Sequence, residues 1–320
     1  ALGAKMTGIN ATIVMPATAP LAKVTATKGY GAEVVLNGLV YDDAYAKAVE
    51  LQKETGATFL HPFNDKYVIA GQGTIGLEIL EQLDGKVDTI LCPIGGGGII
   101  AGIAVAAKGI NPNIKIVGVQ TANIPSMQES MKNGEVTTAF KSTTIADGIA
   151  VKTPGDVTFE IINELVDEVV VVEEDEIAQG MLFLMENQKV VAEGAGAVTT
   201  AALLSGKYVP KKDENVVCVI SGGNVDVNTL YRVIGTALTK EARRYSFNTV
   251  IQDKPGGLAE LTKIISEYDA NILSANLSRS SMGGALGSLT AEMVLETFNH
   301  DHIDKLKVAI TEAGFEIVEI

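Results

Sequence analysis

The chain is 320 residues long, which points to two domains or one large domain with an appendage. Hydrophobic residues make up 47% and charged residues 20%, enough for a packed core and without the signature of disorder. A net charge of −14 with no basic run excludes binding nucleic acid or an anionic membrane chiefly by charge, and no apolar stretch is long enough to span a bilayer.

In chain order, 1–4 reads as the end of a helix already under way and 11–16 as a strand and turn, as if the sheet were entered midway. Residues 32–36 predict a strand, and 42–55 a helix with Ala44, Ala48 and Leu51 on one face. A very short strand candidate at 67–70 precedes Gly71-Gln72-Gly73-Thr74-Ile75-Gly76, where Thr74 is expected to cap a helix. Strands follow at 87–92, 114–120, 168–172 and 216–220, with helices at 99–108, 174–187 and 195–204. Continuous Val/Ile runs separated by helices indicate a parallel sheet covered on both faces, so the expected class is α/β. Beyond 244 the order becomes strand 246–252, helix 257–268, and strands 271–280 and 288–297 around a glycine-bearing turn at 281–287. A helix at 300–313 and a strand at 315–320 complete a β-α-β-β-α-β unit, the ferredoxin-like arrangement. Domains are therefore expected at 1–243 and 244–320.

Two turns are the main candidates for ligand chemistry. Cys92-Pro93-Ile94 runs from a strand into Gly95, Gly96, Gly97 and Gly98 and then a helix. Four glycines let backbone N–H groups converge with no Cβ in the way, and the helix adds the positive end of its dipole. That suits a phosphate; the alternative is a tight turn packed on the sheet. Val219-Ile220-Ser221-Gly222-Gly223-Asn224 is the second turn, in which Ser221 either meets a ligand's ring nitrogen or caps a helix. Both turns fall beyond the carboxyl ends of strands, where open parallel sheets hold ligands.

Other residues divide between function and structure. Glu193, in Ala192-Glu193-Gly194-Ala195-Gly196-Ala197, is either a cation ligand or an acidic residue favoured at a helix start. Gly71, Gly73 and Gly76 match a dinucleotide fingerprint in form, but the strand before them is too short and no acidic residue ends the next strand. The only two cysteines, Cys92 and Cys218, are expected in the core, exclude a disulfide scaffold and suit a reducing, cytoplasmic location. His61 is expected to be held by its neighbours in a loop, and His300 and His302 to face solvent. Asp253-Lys254-Pro255-Gly256-Gly257-Leu258 either offers helix-start amides to a carboxylate ligand or is a rigid turn.

Taken together, these segments resemble the serine/threonine dehydratases of the fold-type II pyridoxal-phosphate (PLP) enzymes. Within them the likeness is to the threonine ammonia-lyases with a single C-terminal ACT domain. It rests on Met15-Pro16, Lys23-Val24, Tyr30-Gly31-Ala32, His61-Pro62-Phe63-Asn64-Asp65 and Gly71-Gln72-Gly73-Thr74. The two glycine turns, Asp147-Gly148-Ile149-Ala150, the Glu193 to Ala197 segment and the Asp253 to Leu258 turn continue it in order along essentially the whole chain. The resemblance implies open, mostly parallel twisted sheets with an ACT domain at 244–320. It implies the PLP phosphate on Gly95, Gly96, Gly97 and Gly98, Ser221 at the ring nitrogen, and a monovalent or divalent cation at Glu193 and the Ala197 carbonyl. An amino-acid effector would bind at Asp253, Pro255, Gly256, Gly257 and Leu258. The implied reaction converts L-threonine to 2-oxobutanoate and ammonia, or L-serine to pyruvate, in an allosteric homo-oligomer, a dimer or tetramer, of isoleucine biosynthesis or threonine breakdown.

There is one departure. In that family a lysine in a Ser-x-Lys-x-Arg-Gly-Ala segment near the N-terminus forms the Schiff base, and a Ser-x-Gly-Asn-His loop grips cofactor and substrate. Neither segment occurs here, and Lys5, Lys23 and Lys28 lie outside such a motif, so no catalytic lysine is assigned. The chain reads as an N-terminally truncated enzyme, with a non-catalytic amino-acid-binding module as the alternative.

Overall fold

Short runs such as Thr-Ile-Leu-Cys-Pro and Glu-Val-Val-Val-Val are too apolar to leave either face in water, and they fold as strands of parallel sheets. A computed structural model describes residues 1–19, 21–39, 41–140, 143–279 and 287–319. Two units, Ala1–Pro62 and Phe63–Ile320, each pack within themselves.

The first unit contains α1 (Leu2–Thr7), β1 (Thr12–Met15), α2 (Leu21–Gly29), β2 (Glu33–Leu36) and α3 (Tyr41–Thr55). β1 and β2 pair in parallel, Thr12 opposite Glu33 and Met15 opposite Leu36. Among its described residues, Val24 and Ala44 are buried apolar side chains. His61 stands edge-on to Tyr45 and Phe59, with ring centroids 5.9 and 6.2 Å away, held by its neighbours as expected.

The second unit begins with α4 (Lys66–Gln82), β3 (Thr89–Pro93), α5 (Gly98–Ile110), β4 (Lys115–Thr121) and α6 (Ser126–Asn133). A 3-10 turn (Asp147–Ile149), α7 (Asp156–Leu165), β5 (Glu168–Val172) and α8 (Glu174–Phe183) follow, α8 running into a π turn at Leu184–Gln188. Then come α9 (Gly194–Leu204), β6 (Val216–Cys218) and α10 (Val227–Lys240). The four strands lie in the order β5-β4-β3-β6, all parallel. Successive side chains of a strand point to opposite faces. Ile90, Cys92 and Ile116 accordingly join Ile69, Ile100, Ile103 and Ile162 in one core, while Leu91, Val117 and Val119 join Ile177, Val198 and Ala201 in the other. Burial of each such aliphatic side chain contributes about 1.5–3 kcal/mol.

Three sequence readings are corrected. Residues 67–70 are not a strand: α4 runs through the whole glycine motif, its start capped by Asp65, which accepts the Tyr67 and Val68 N–H groups at 2.8 and 3.1 Å. Thr74 caps nothing, its hydroxyl bonding back to the Gly71 carbonyl at 2.9 Å. Gly73 and Gly76 serve helix contact, while Gly71 faces open space: a Cβ at Gly73 would lie 3.0 Å from the Gly102 carbonyl, and one at Gly102 of α5 2.3 Å from the Ile69 carbonyl. Nor does Ser221 cap a helix, because α10 starts six residues later with Asp226 accepting the Asn228 and Thr229 N–H groups. Several helices escape a reading by apolar spacing; α6 buries only Ser126, Met127 and Ser130, which make no apolar stripe.

The remainder comprises β7 (Arg244–Gln252), α11 (Gly257–Glu267), β8 (Asn271–Ser278), β9 (Ser288–Glu296), α12 (His300–Glu312) and β10 (Val318–Glu319). Its antiparallel sheet has the order β10-β7-β9-β8, the ferredoxin-like topology. Alternate residues Tyr245, Phe247 and Ile251 meet Ala291, Met293 and Leu295 beneath Leu261, Ile265, Leu306 and Ile310 in a core of their own. The expected division at 243/244 falls within the second unit. Of the turn expected at 281–287, residues 281–286 lie outside the described residues. Among the described residues the last strand is Val318–Glu319, and Phe315, expected to begin it, lies buried in the core. His302 does not simply face solvent: its Nδ1 accepts the Phe298 N–H at 3.1 Å and its Nε2 donates to the Tyr268 carbonyl at 2.6 Å. An N–H can only donate and a carbonyl only accept, so the pair selects the Nε2–H tautomer. No helix among the described residues is long and apolar enough to cross a membrane.

Candidate active site

The chain proceeds from β3 to β4 and β5 on one side, and β6 then returns to the other side of β3. The switch point of the sheet is therefore the crevice beyond the carboxyl ends of β3 and β6, where doubly wound sheets hold ligands. Leu91 pairs with Cys218, and the Val219 N–H bonds to the Leu91 carbonyl at 3.0 Å. The Gly95–Gly98 loop and the Ser221 turn thus leave the sheet from adjacent strands.

Gly95, Gly96, Gly97 and Gly98 are all buried. Gly97 has φ 97° and forms the N-cap of α5 without any side-chain cap, and the first bond of the helix is from the Ala101 N–H to the Gly97 carbonyl at 3.0 Å. The amides ahead of it have no partner within the helix. Thr158, fully buried on α7, donates its hydroxyl to the Gly96 carbonyl at 2.6 Å, and the Gly155 N–H approaches the same oxygen at 3.4 Å. A trans peptide sends its N–H opposite to its C=O. Holding the Gly96 carbonyl against α7 therefore turns the Gly97 N–H away from the Thr158 hydroxyl, and no hydrogen bond from it occurs among the described residues. A Cβ at Gly96 would sit 2.3 Å from the Phe63 ring, and one at Gly98 3.0 Å from the Phe63 Cα. Bare backbone, free donors and a helix start fit a phosphate. Phe63 and Thr158 escape the sequence reading because their service to the loop is purely one of packing and carbonyl capture.

Ser221 is exposed, and its hydroxyl has no hydrogen-bond partner among the described residues. Glu193 lies against the turn: its N–H donates to the Gly222 carbonyl at 3.1 Å, and its Oε2 accepts the Asn224 N–H at 3.1 Å. The segment before and through the 3-10 turn links the two glycine turns. A Cβ at Gly95 would meet the Ile149 Cα at 2.9 Å, one at Gly148 the Ala195 Cβ at 3.0 Å, and one at Gly196 the Gly222 carbonyl at 2.5 Å. Glu174 fixes this segment, accepting the Ile145 N–H at 2.7 Å and the Thr121 hydroxyl at 2.9 Å.

The remaining expected residues are placed as follows. Ala197 lies one turn into α9, its N–H donating to the Glu193 carbonyl at 3.0 Å. No group of three or more His, Cys, Asp or Glu residues able to hold a metal occurs among the described residues. Cys92 is fully buried and burial pushes its thiol well above the ordinary range, while the Cys218 thiol rises to about 11, so neither is a thiolate nucleophile at neutral pH. In the second candidate turn, Asp253 forms a two-point pair with Arg279, at 3.0 and 3.2 Å, and Gly256 caps α11 with φ 93°. Pro255, Gly257 and Leu258 complete the bend into that helix. A groove of about 370 Å³ lies between the end of α11 and the start of α12, lined by Tyr268, Phe298, His302 and Lys305 among others, and includes no residue of either glycine turn at the sheet.

Bare backbone amides beside an exposed serine hydroxyl at the switch point have the chemistry to take a phosphate-bearing ligand. Residues 1–222 match the family described as pyridoxal-phosphate dependent enzymes, and the chain belongs to that family. Among curated relatives, the L-threonine ammonia-lyase of Thermotoga maritima is 49% identical over 317 residues, covering 99% of this chain and 78% of the relative. That of Geobacter sulfurreducens is 46% identical over 315 residues, covering 98% and 78%. Among solved structures, processed threonine deaminase isoform 2 from Solanum lycopersicum has a TM-score of 0.69 at 38% identity, covering 74% of this chain and 69% of that one. Maize serine racemase has a TM-score of 0.68 at 38% identity, covering 75% and 74%. The architecture is that of the fold-type II PLP enzymes, and the cofactor is PLP.

Proposed function

We propose that this chain serves the PLP-dependent deamination of L-threonine to 2-oxobutanoate and ammonia, with L-serine giving pyruvate. The observation that carries the reading is the pair of turns at the ends of β3 and β6, one offering uncommitted amides and the other an unpartnered serine hydroxyl, in a chain nearly half identical to L-threonine ammonia-lyases. Bound PLP supplies an electron sink for the α-carbon of an amino acid. The amides of Gly95 to Gly98 would hold its phosphate, with the α5 dipole meeting the charge. The Ser221 hydroxyl would meet the ring nitrogen as a neutral partner. Phe63 covers the loop on its Gly96 side.

The ferredoxin-like segment 244–320 serves as an ACT regulatory domain, with an amino-acid effector at Asp253, Pro255, Gly256, Gly257 and Leu258. The start of α11 and the Asp253–Arg279 pair support a site for a group bearing both charges. β8 is an edge strand, which favours pairing between copies and hence a homo-oligomer. Glu193 with the Ala197 carbonyl as a cation site is the competing role for this carboxylate, whose Oε2 already accepts the Asn224 N–H.

The test is a borohydride trap: PLP is added, the complex reduced and the labelled peptide mapped by mass spectrometry, alongside assay of keto acid from L-threonine. Label together with 2-oxobutanoate supports the reading. PLP that binds without any turnover overturns it in favour of a binding module.

A further inference from the structure

The structure assigns Glu193 the role of a positioning residue for the Ser221 turn, an inference that rests on the PLP reading above. The Ser221 hydroxyl has no partner among the described residues, so its place is set by the backbone that carries it. Glu193 holds that backbone at two points immediately after the serine, the Gly222 carbonyl through its own N–H and the Asn224 N–H through Oε2, each at 3.1 Å. The other carboxylate oxygen lies where side chains have been left out: Oε1 would be 2.1 Å from a Cβ at Gly222 and 3.4 Å from one at Gly148.

Glu193 is itself the N-cap residue of α9, with φ −76° and ψ 166°, yet its side chain makes no cap hydrogen bond. A carboxylate in that position ordinarily accepts from the second or third amide of its own helix. Here it reaches across to another segment instead. The anchor is rigid, because α9 is buried from Gly194 to Ala202. The carboxylate would thus act on the cofactor's ring through the serine turn.

Hydrogen exchange over 219–226 of the full chain, without cofactor, reads the clamp directly. In Glu193→Ala the Asn224 amide is expected to exchange about tenfold faster, and in Glu193→Gln, whose amide oxygen still accepts, within roughly threefold of the parent. Equal exchange in the parent and Glu193→Ala overturns the clamp. PLP titration gives the second readout: Glu193→Ala is expected to bind about tenfold more weakly with a displaced emission band, and Glu193→Gln to restore both. If Glu193→Gln behaves like Glu193→Ala in both measurements, and Mg²⁺, Ca²⁺ or K⁺ changes only the parent, Glu193 is a cation ligand and the positioning role falls. A parent chain that takes up no PLP overturns the cofactor reading, while the exchange rates still decide the clamp.

Discussion

Gly97 adopts φ 97°, and a Cβ there would lie 2.7 Å from the Ile162 Cδ1 and 2.9 Å from the Thr158 Cβ. Gly97→Ala therefore meets backbone strain and overpacking together, and is expected to cost about 1–3 kcal/mol in urea unfolding. It should also weaken PLP at least about tenfold in a fluorescence titration, because the donors of the loop shift with the strain. At the opposite end of the sheet, Glu214 accepts the Thr89 and Tyr208 hydroxyls at 2.5 and 2.6 Å and the Lys211 N–H at 2.6 Å. These bonds, that from Thr89 foremost, hold its carboxyl down at about 2 against an ordinary 4.5. A carboxyl depressed in the folded state binds its proton more readily when unfolded. Its contribution is therefore complete above pH 4.5 and is lost as the pH falls toward about 2. Melting temperatures across that interval should drop less steeply for Glu214→Gln than for the parent, and parallel curves would refute this.

Between elements, α4 and α5 approach closely through glycine. Gly102→Ala would set a methyl 2.3 Å from the Ile69 carbonyl, and neither helix backbone can yield locally. The expected loss is about 3 kcal/mol in the urea midpoint analysis, at the upper end of overpacking costs, with PLP affinity falling as the start of α5 tilts. This same contact explains where the sequence misleads. Gly71, Gly73 and Gly76 have the spacing of a nucleotide turn, and only the position of Asp65 as a cap reveals that they lie inside a helix. The βα turns at Gly95 and Ser221 were legible because a continuous Val/Ile run announces a buried strand and glycines its end. The partners of those turns were not: Phe63 and Thr158 are separated from them in sequence and act on the loop's backbone, which leaves no periodic trace.

Across the whole second unit, the parallel sheet with its helices and the antiparallel sheet of 244–320 have separate cores, and α10 leads from one to the other. Arg243, at the entry to β7, pairs with Glu186 through two 2.9 Å bonds, and Lys240 pairs with Asp175 at 2.6 Å. Surface pairs such as these contribute at most about 1 kcal/mol each, so they orient more than they stabilise. Deleting 244–320 is accordingly expected to leave PLP binding within roughly threefold and to abolish calorimetric binding of an amino-acid effector. Effector heat that survives the deletion would remove the regulatory role from this segment.

Gly95 on Ile149, Gly148 on Ala195 and Gly196 on Gly222 have a practical consequence for anyone mapping this protein by mutagenesis. A survey that shortens side chains one at a time would find nothing to cut at these positions and would pass over them as silent. A survey that lengthens them, glycine to alanine, would trace the outline of the cofactor site as a connected line of sensitive positions running from one turn to the other.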